Sequence, residues 1–186
     1  MLDPKPPFLN EKTVMQILEK RKKYVDAVAV TGGEPTMHKE IPKFLKKFKE
    51  KGFAVKLDTN GFFPRVIKEC LPFVDYVALD VKTSLEKYRR LGAKDTADFL
   101  RTVEILKNGK VEYEFRATVV PGFVDEEDIP KMGEIVKGGK RFAFQQFISG
   151  DTLDKAFNSV NPCSPRVIGE FASVMKRYVA NVTVRV

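Results

Sequence analysis

Several short polar clusters in this sequence each follow an apolar, β-branched run. They are Thr31-Gly32-Gly33-Glu34-Pro35-Thr36, Asp58-Thr59-Asn60-Gly61, Asp80-Val81-Lys82, Arg116 with the downstream Val120-Pro121-Gly122, and Gln145-Gln146-Phe147. Gly32 and Gly33 lack a Cβ, so a ligand can touch their backbone closely, and a carbonyl there could accept from an ammonium. Asp58 and Asp80 could hold hydroxyls, an ammonium or a cation, and Lys82 could hold a carboxylate. That set suits a zwitterionic amino acid joined to a nucleoside. Asp80 and Lys82 are also readable as a structural ion pair.

The other candidate groups are weaker. His38, the only histidine, follows the glycine loop in PTMHKEI and reads as an exposed residue at a helix start. Cys70 and Cys163 are far apart and have no cysteine neighbours, which disfavours a zinc site and fits buried or incidental thiols. No nucleophile elbow is present, and neither GxGxxG nor GxxxxGK[ST] occurs, so a serine hydrolase and a nucleoside triphosphatase are disfavoured. The acidic run Asp125–Asp128 fits a helix first turn, where the helix dipole favours it.

Such groups must be positioned by regular elements, and the sequence alternates between two periods. Apolar strand-like runs cover Val25–Thr31, Phe53–Leu57, Val74–Val81, Val111–Val120, Arg141–Ile148 and Asn181–Val186. Amphipathic stretches at helical spacing cover Glu11–Lys23, Lys39–Lys51, Pro64–Cys70, Asp95–Asn108, Asp125–Lys137 and Pro165–Val179. Alternation of this kind predicts βα units, a parallel sheet and outer helices. In such folds sites form at the C-terminal ends of strands, where the polar clusters lie. Asn10 and Ser164 read as N-caps. Unusually, a helix precedes the first strand, which hints at a missing element upstream.

Composition bounds the class. At 186 residues, 43% hydrophobic and 31% charged, the chain reads as one soluble globular domain over 1–186. Two cysteines exclude a disulfide scaffold, and no apolar run is long enough for a transmembrane helix. With no signal peptide in MLDPKPPFLN, the expected location is cytoplasmic. The net charge of +8 permits an anionic partner without specifying nucleic acid, and the dense Lys43–Lys51 stretch reads as the solvated face of a helix. Abundant Lys and Glu with few Asn and Gln suggest a thermophile.

Taken in order, TGGEPT, DTNG, DVK and an Arg-bearing strand running into VVPGFVDEEDI resemble the radical S-adenosylmethionine (SAM) superfamily. More closely, the chain resembles the glycyl-radical-enzyme activases. Its C-terminal FQQFISGDTLDKAF, NPCSP and VTVRV resemble the branch that activates anaerobic ribonucleoside-triphosphate reductase, with pyruvate formate-lyase activating enzyme as a close cousin. The resemblance implies a partial (βα)6 TIM-like barrel, SAM and a [4Fe–4S] cluster, with a glycyl radical enzyme and a ferredoxin or flavodoxin electron donor as partners. It places Gly32, Gly33 and Glu34 at the methionine amino group, Asp58 and Thr59 on the methionine moiety, Lys82 beside Asp80 at the carboxylate, and Arg116 facing the site.

The resemblance also exposes a departure. The family's Cys-x-x-x-Cys-x-x-Cys loop, which follows its first strand, has no counterpart here, and Met1 aligns just past where that loop would end. The chain is therefore expected to lack the first strand and to be inactive alone, with no metal site. The strand Val25–Thr31 is then expected to be an edge that pairs with another chain, as in a homodimer, or is covered by the N-terminal segment. The alternatives are a cluster-less barrel that binds a nucleoside or a partner protein, and a pyruvate formate-lyase activase.

Overall fold

Residues 8–150, 152 and 154–186 are described by a computed structural model. Six strands form one wholly parallel sheet in sequential order: β1 Ala27–Val30, β2 Ala54–Thr59, β3 Tyr76–Asp80, β4 Glu112–Val119, β5 Arg141–Gln146 and β6 Asn181–Arg185. The helices are α1 Glu11–Arg21, α2 Ile41–Glu50, α3 Pro64–Cys70, α4 Ala97–Lys107, α5 Asp128–Val136 and α6 Pro165–Met175. Sequential order with a helix at every crossover is the partial barrel expected from the sequence. Element ends fall within a few residues of the predicted ones. Short 3₁₀ turns at Pro35–Met37, Leu71–Phe73, Leu85–Leu91 and Lys155–Ser159 had no periodic signal.

Local chemistry sets the helix ends. Asn10 accepts from the Thr13 amide at 2.9 Å and Ser164 from the Val167 amide at 3.4 Å, as N-caps do. In α2 the apolar residues Leu45 and Phe48 are buried while Lys43, Lys46 and Lys47 face water, so the basic stretch is a solvated face. The Asp125–Asp128 run behaves differently from a solvated first turn. Its last member, Asp128, is buried and takes hydrogen bonds from Ser84 at 2.6 Å and Lys87 at 2.5 Å. Those bonds tie the loop after β4 to the segment after β3.

The two faces of the sheet differ sharply. One face carries Val55, Leu57, Val77, Leu79, Phe115, Val119, Phe142 and Phe144, all buried beneath the helices in the core. The other carries Lys56 and Asp58, then Ala78 and Asp80, Glu114 and Arg116, Arg141 and Ala143, and Thr183 and Arg185, as strict alternation along each strand requires. A closed (βα)8 barrel fills its interior with bulky branched side chains. Here the corresponding face holds charged groups and alanines in place of that apolar packing. Among the described residues β1 has one strand neighbour, β2.

Candidate functional site

Register alone brings the charged residues together. Asp80 on β3 lies directly opposite Arg116 on β4, and Asp58 on β2 lies opposite Ala78. Asp58 and Arg116 sit two strands apart, roughly 10 Å at the ordinary spacing. The alanine methyl between them lets the long guanidinium lie across β3. Arg116 donates from Nη1 to Asp58 at 3.0 Å and from Nε to Asp80 at 2.8 Å. Lys82 Nζ lies 3.0 Å from the second Asp80 oxygen, and Lys56 Nζ lies 2.7 Å from the second Asp58 oxygen. The result is a ladder, Lys56–Asp58–Arg116–Asp80–Lys82, in which cations and carboxylates alternate.

Electrostatics within the ladder follow from partial burial. Burial alone would raise the Asp58 pKa, but the Lys56 and Arg116 cations beside it outweigh this and hold its carboxyl below the usual value. Burial likewise works against the charge on Arg116, and Asp80 and Asp58 more than compensate, so the guanidinium is held charged. Lys56 is the member that sequence reasoning missed. Its signal was present, because residues two apart in a strand share a face.

Glu34 and Thr59 lie near the ladder but are used otherwise. The buried Glu34 carboxylate accepts from the Thr36 amide at 3.0 Å, from the Thr36 hydroxyl, from the Thr59 hydroxyl at 2.8 Å and from the Asn60 amide at 2.6 Å. Thr59 alternates to the face opposite Asp58, and its hydroxyl also accepts from the Gly61 amide at 3.1 Å. These bonds pin the glycine-rich loop to the end of β2. Gly61 sits at φ +82°, with Leu79 close beneath it, a position that only glycine fills without strain. The strap leaves the loop backbone free. Gly32 and Gly33 are exposed, and nothing lies within 4 Å of where a Cβ would be.

Beside the ladder is a hollow of about 180 Å³ lined by Asp80, Lys82, Arg116, Thr118, Val120 and Phe123. The structure therefore gathers Asp58, Asp80, Lys82 and Arg116 on one face, with the Gly32-Gly33 loop following the neighbouring strand β1. Gln146 does not join them. Its amide nitrogen donates to the Cys163 carbonyl at 3.0 Å. His38 is exposed at the end of a 3₁₀ turn rather than at a helix start.

The family model described as the radical SAM superfamily matches residues 2–132. A protein of Methanocaldococcus jannaschii named as a candidate glycyl-radical enzyme activating enzyme is 36% identical over 171 residues, covering 87% of this chain and 71% of that protein. The chain belongs to the radical SAM superfamily. The pyruvate formate-lyase 1-activating enzyme of Escherichia coli is 32% identical over 116 residues, or 59% of this chain, and the matched part is 47% of that enzyme. A domain of pyruvate-formate lyase-activating enzyme from Bacteroides vulgatus shares the fold, with a TM-score of 0.69 at 17% identity over 85% of this chain and 98% of that one.

Membership of the radical SAM superfamily implies SAM and a [4Fe–4S] cluster, and the two fare differently against the residues present. The open glycine backbone and a lysine with donors to spare fit the methionine zwitterion. The cluster does not fit. Among the described residues no three Cys, His, Asp or Glu side chains gather as a metal site. Cys70 is buried in the helical layer, and burial, with Glu69 adding to it, pushes its thiol up to about 12, so it is a protonated core residue. Burial also raises the Cys163 thiol, and this residue sits in the loop before α6.

Proposed function

We propose that this chain is the SAM-binding and substrate-presenting part of a glycyl-radical-enzyme activase. What supports the proposal is the ladder of alternating charge together with the exposed, unobstructed backbone of Gly32 and Gly33 in the loop after the adjacent strand β1. In this reading the backbone carbonyls of Gly32 and Gly33 accept from the methionine ammonium, and Lys82 turns from Asp80 to hold the methionine carboxylate. Arg116 keeps Asp58 and Asp80 paired when Lys82 turns away, so the rest of the ladder needs little rearrangement on binding. Thr118, Val120 and Phe123 offer a wall for the nucleoside.

SAM held here would supply hydrogen-abstraction chemistry toward a backbone glycine only where a cluster delivers the electron that cleaves it. That cleavage needs a cluster these residues do not hold, so the chain alone is assigned binding and presentation only. A polar sheet face that is not closed into a barrel among the described residues is compatible with a polypeptide substrate. An anaerobic ribonucleotide reductase is the proposed partner, with pyruvate formate-lyase as the second choice, and a ferredoxin or flavodoxin as electron donor. A cytoplasmic location is proposed with it, and among the described residues no helix is long and apolar enough to cross a membrane. The edge of β1, which has no strand partner on that side among the described residues, is a proposed site of strand pairing with a second copy.

Calorimetric titration with SAM tests this reading. The expected result is weak binding that Lys82→Met abolishes, because the cluster iron that normally takes both the amine and the carboxylate is missing. Submicromolar affinity without iron, or binding indifferent to Lys82→Met, refutes it.

A further inference from the structure

The six strands are parallel and every helix returns against them, so the residues that precede each strand share one end of the sheet, opposite the Gly32-Gly33 loop. That end is strongly basic. Lys20, Arg21, Lys22 and Lys23 close α1 and lead into β1, and Lys68 lies in the last turn of α3 before β3. Lys110 precedes β4, and Lys176 and Arg177 precede β6. All of these are exposed, and none is in a salt bridge among the described residues. The carboxylates of this end do not cancel them. Glu19, Asp75, Glu104, Glu112 and Glu134 are held by five further cations, Lys51, Lys49, Lys107, Lys140 and Lys137, so those pairs carry no net charge. Glu50 and Glu69 are likewise paired, to Lys46 and Arg65. Among the described residues only Asp26 is left to oppose the unpaired cations. Helix dipoles account for part of the pattern, since they favour cations in a last turn. Lys23, Lys110 and Arg177 lie past the helix caps, where that field has faded.

The make-up of this end selects its partner. Protein interfaces bury an apolar centre and are poor in lysine. Here the unpaired cations are lysines apart from Arg21 and Arg177, and Tyr24 is the one large apolar side chain exposed at this end among the described residues. Lysines serve well as separate point charges on phosphates. Tyr24 is 76% exposed with Lys23 Nζ 4.8 Å from its ring centre, a pairing of aromatic and cation that suits a base on a phosphate backbone. The scale also fits. The starts of β1 and β6 are five strand spacings apart, roughly 24 Å along the sheet, which is about seven base-pair steps of a duplex. We infer that this end of the sheet binds the phosphate backbone of nucleic acid without reading its sequence, and leaves the Gly32-Gly33 end free. The inference is independent of the activase reading.

The test titrates the full chain into a fluorescein-labelled DNA duplex of about 16 base pairs and follows its anisotropy. In about 50 mM KCl a dissociation constant on the order of 10 µM is expected, weakening about 100-fold by about 200 mM as roughly four neutralised phosphates release their counterions. Lys22→Glu with Lys23→Glu, and Lys176→Glu with Arg177→Glu, are each expected to weaken binding more than about tenfold, while Lys22→Arg with Lys23→Arg keeps it. Lys39→Glu with Lys43→Glu makes the same change in net charge at the opposite end and is expected to stay within about threefold of the parent. Binding absent at about 1 mM chain, an affinity indifferent to salt, or an equal loss in the Lys39 and Lys43 variant overturns the inference. So does displacement of the duplex by poly-glutamate at equal charge, which would mark this end as a site for an acidic protein instead. Neither SAM nor iron is present, so failure here leaves the zwitterion site standing, and failure of SAM to bind leaves this surface standing.

Discussion

Glu34 is the residue for which sequence and structure suggest different work, and its replacement by glutamine separates them. One carboxylate oxygen accepts from the Thr36 amide, the Thr36 hydroxyl and the Thr59 hydroxyl, and the other from the Asn60 amide. Glutamine keeps one acceptor oxygen and places an NH2 where the other stood. In the cheaper orientation the three bonds to the first oxygen survive without charge assistance, and the new NH2 meets the Asn60 N–H. An unsatisfied buried donor costs about 1–3 kcal/mol, and the weakened bonds cost roughly 0.5–1 kcal/mol each, partly offset because no buried charge must be desolvated. A net loss of about 3 kcal/mol corresponds to a melting temperature lower by about 6–12 °C for a domain of this size. Urea unfolding followed by far-ultraviolet circular dichroism is the assay, with the slope expected to stay constant. A double-mutant cycle with Thr59→Val should show coupling above about 1 kcal/mol. A stability within about 0.5 kcal/mol of the parent would refute the strap and return Glu34 to an exclusively ligand-facing role.

Other consequences follow from the same geometry. Gly61→Ala places a Cβ 2.5 Å from Leu79 Cδ1 at φ +82°, and should cost about 3 kcal/mol in urea unfolding, through strain plus overpacking. Burial would raise the Asp128 pKa, yet the Lys87 ammonium, the Ser84 hydroxyl and the Asp125 amide hold its carboxyl below the usual carboxylate value. The stability it contributes is therefore present above that value and lost as pH falls through the depressed folded pKa. Asp128→Asn should accordingly cost most near pH 7, and the gap to the parent should narrow below about pH 4; a gap constant across that range would contradict the assignment. Arg116→Met leaves Asp58 and Asp80 without their shared cation and should destabilise by about 2 kcal/mol, less than a fully buried pair because the ladder is partly exposed. An Arg116→Met variant as stable as the parent would mean that Lys56 and Lys82 alone satisfy both carboxylates.

Much of this was legible because local and global signals agree. Six strand-like runs alternating with amphipathic stretches admit few arrangements other than a parallel sheet, and the sheet places Asp58, Asp80 and Arg116 by register alone. Which partner each takes was not legible. The bridge from Arg116 to Asp58 depends on Ala78, on the strand between them, being small, and nothing in the local sequence of β4 announces it. Glu34 and Thr59 carry motif positions that suggest ligand contact, but the alternation of β2 turns Thr59 away from Asp58 and toward Glu34. Asp128 sits in an acidic run that fits a solvated helix start; its burial arises from Ser84 and Lys87, more than forty residues earlier in the chain. The 3₁₀ segment Leu85–Leu91, which supplies Lys87, Tyr88 and Leu91, is too short and irregular to leave a periodic trace.

The central claim is best met by a ¹H–¹⁵N correlation spectrum of the full chain titrated with SAM, which detects weak binding residue by residue. Progressive shifts are expected, confined to the amides of Gly32 and Gly33, to Lys82 and its neighbours, and to the Arg116–Val120 stretch. Shifts clustered on the helical face, or none in these segments at saturating ligand, would contradict it.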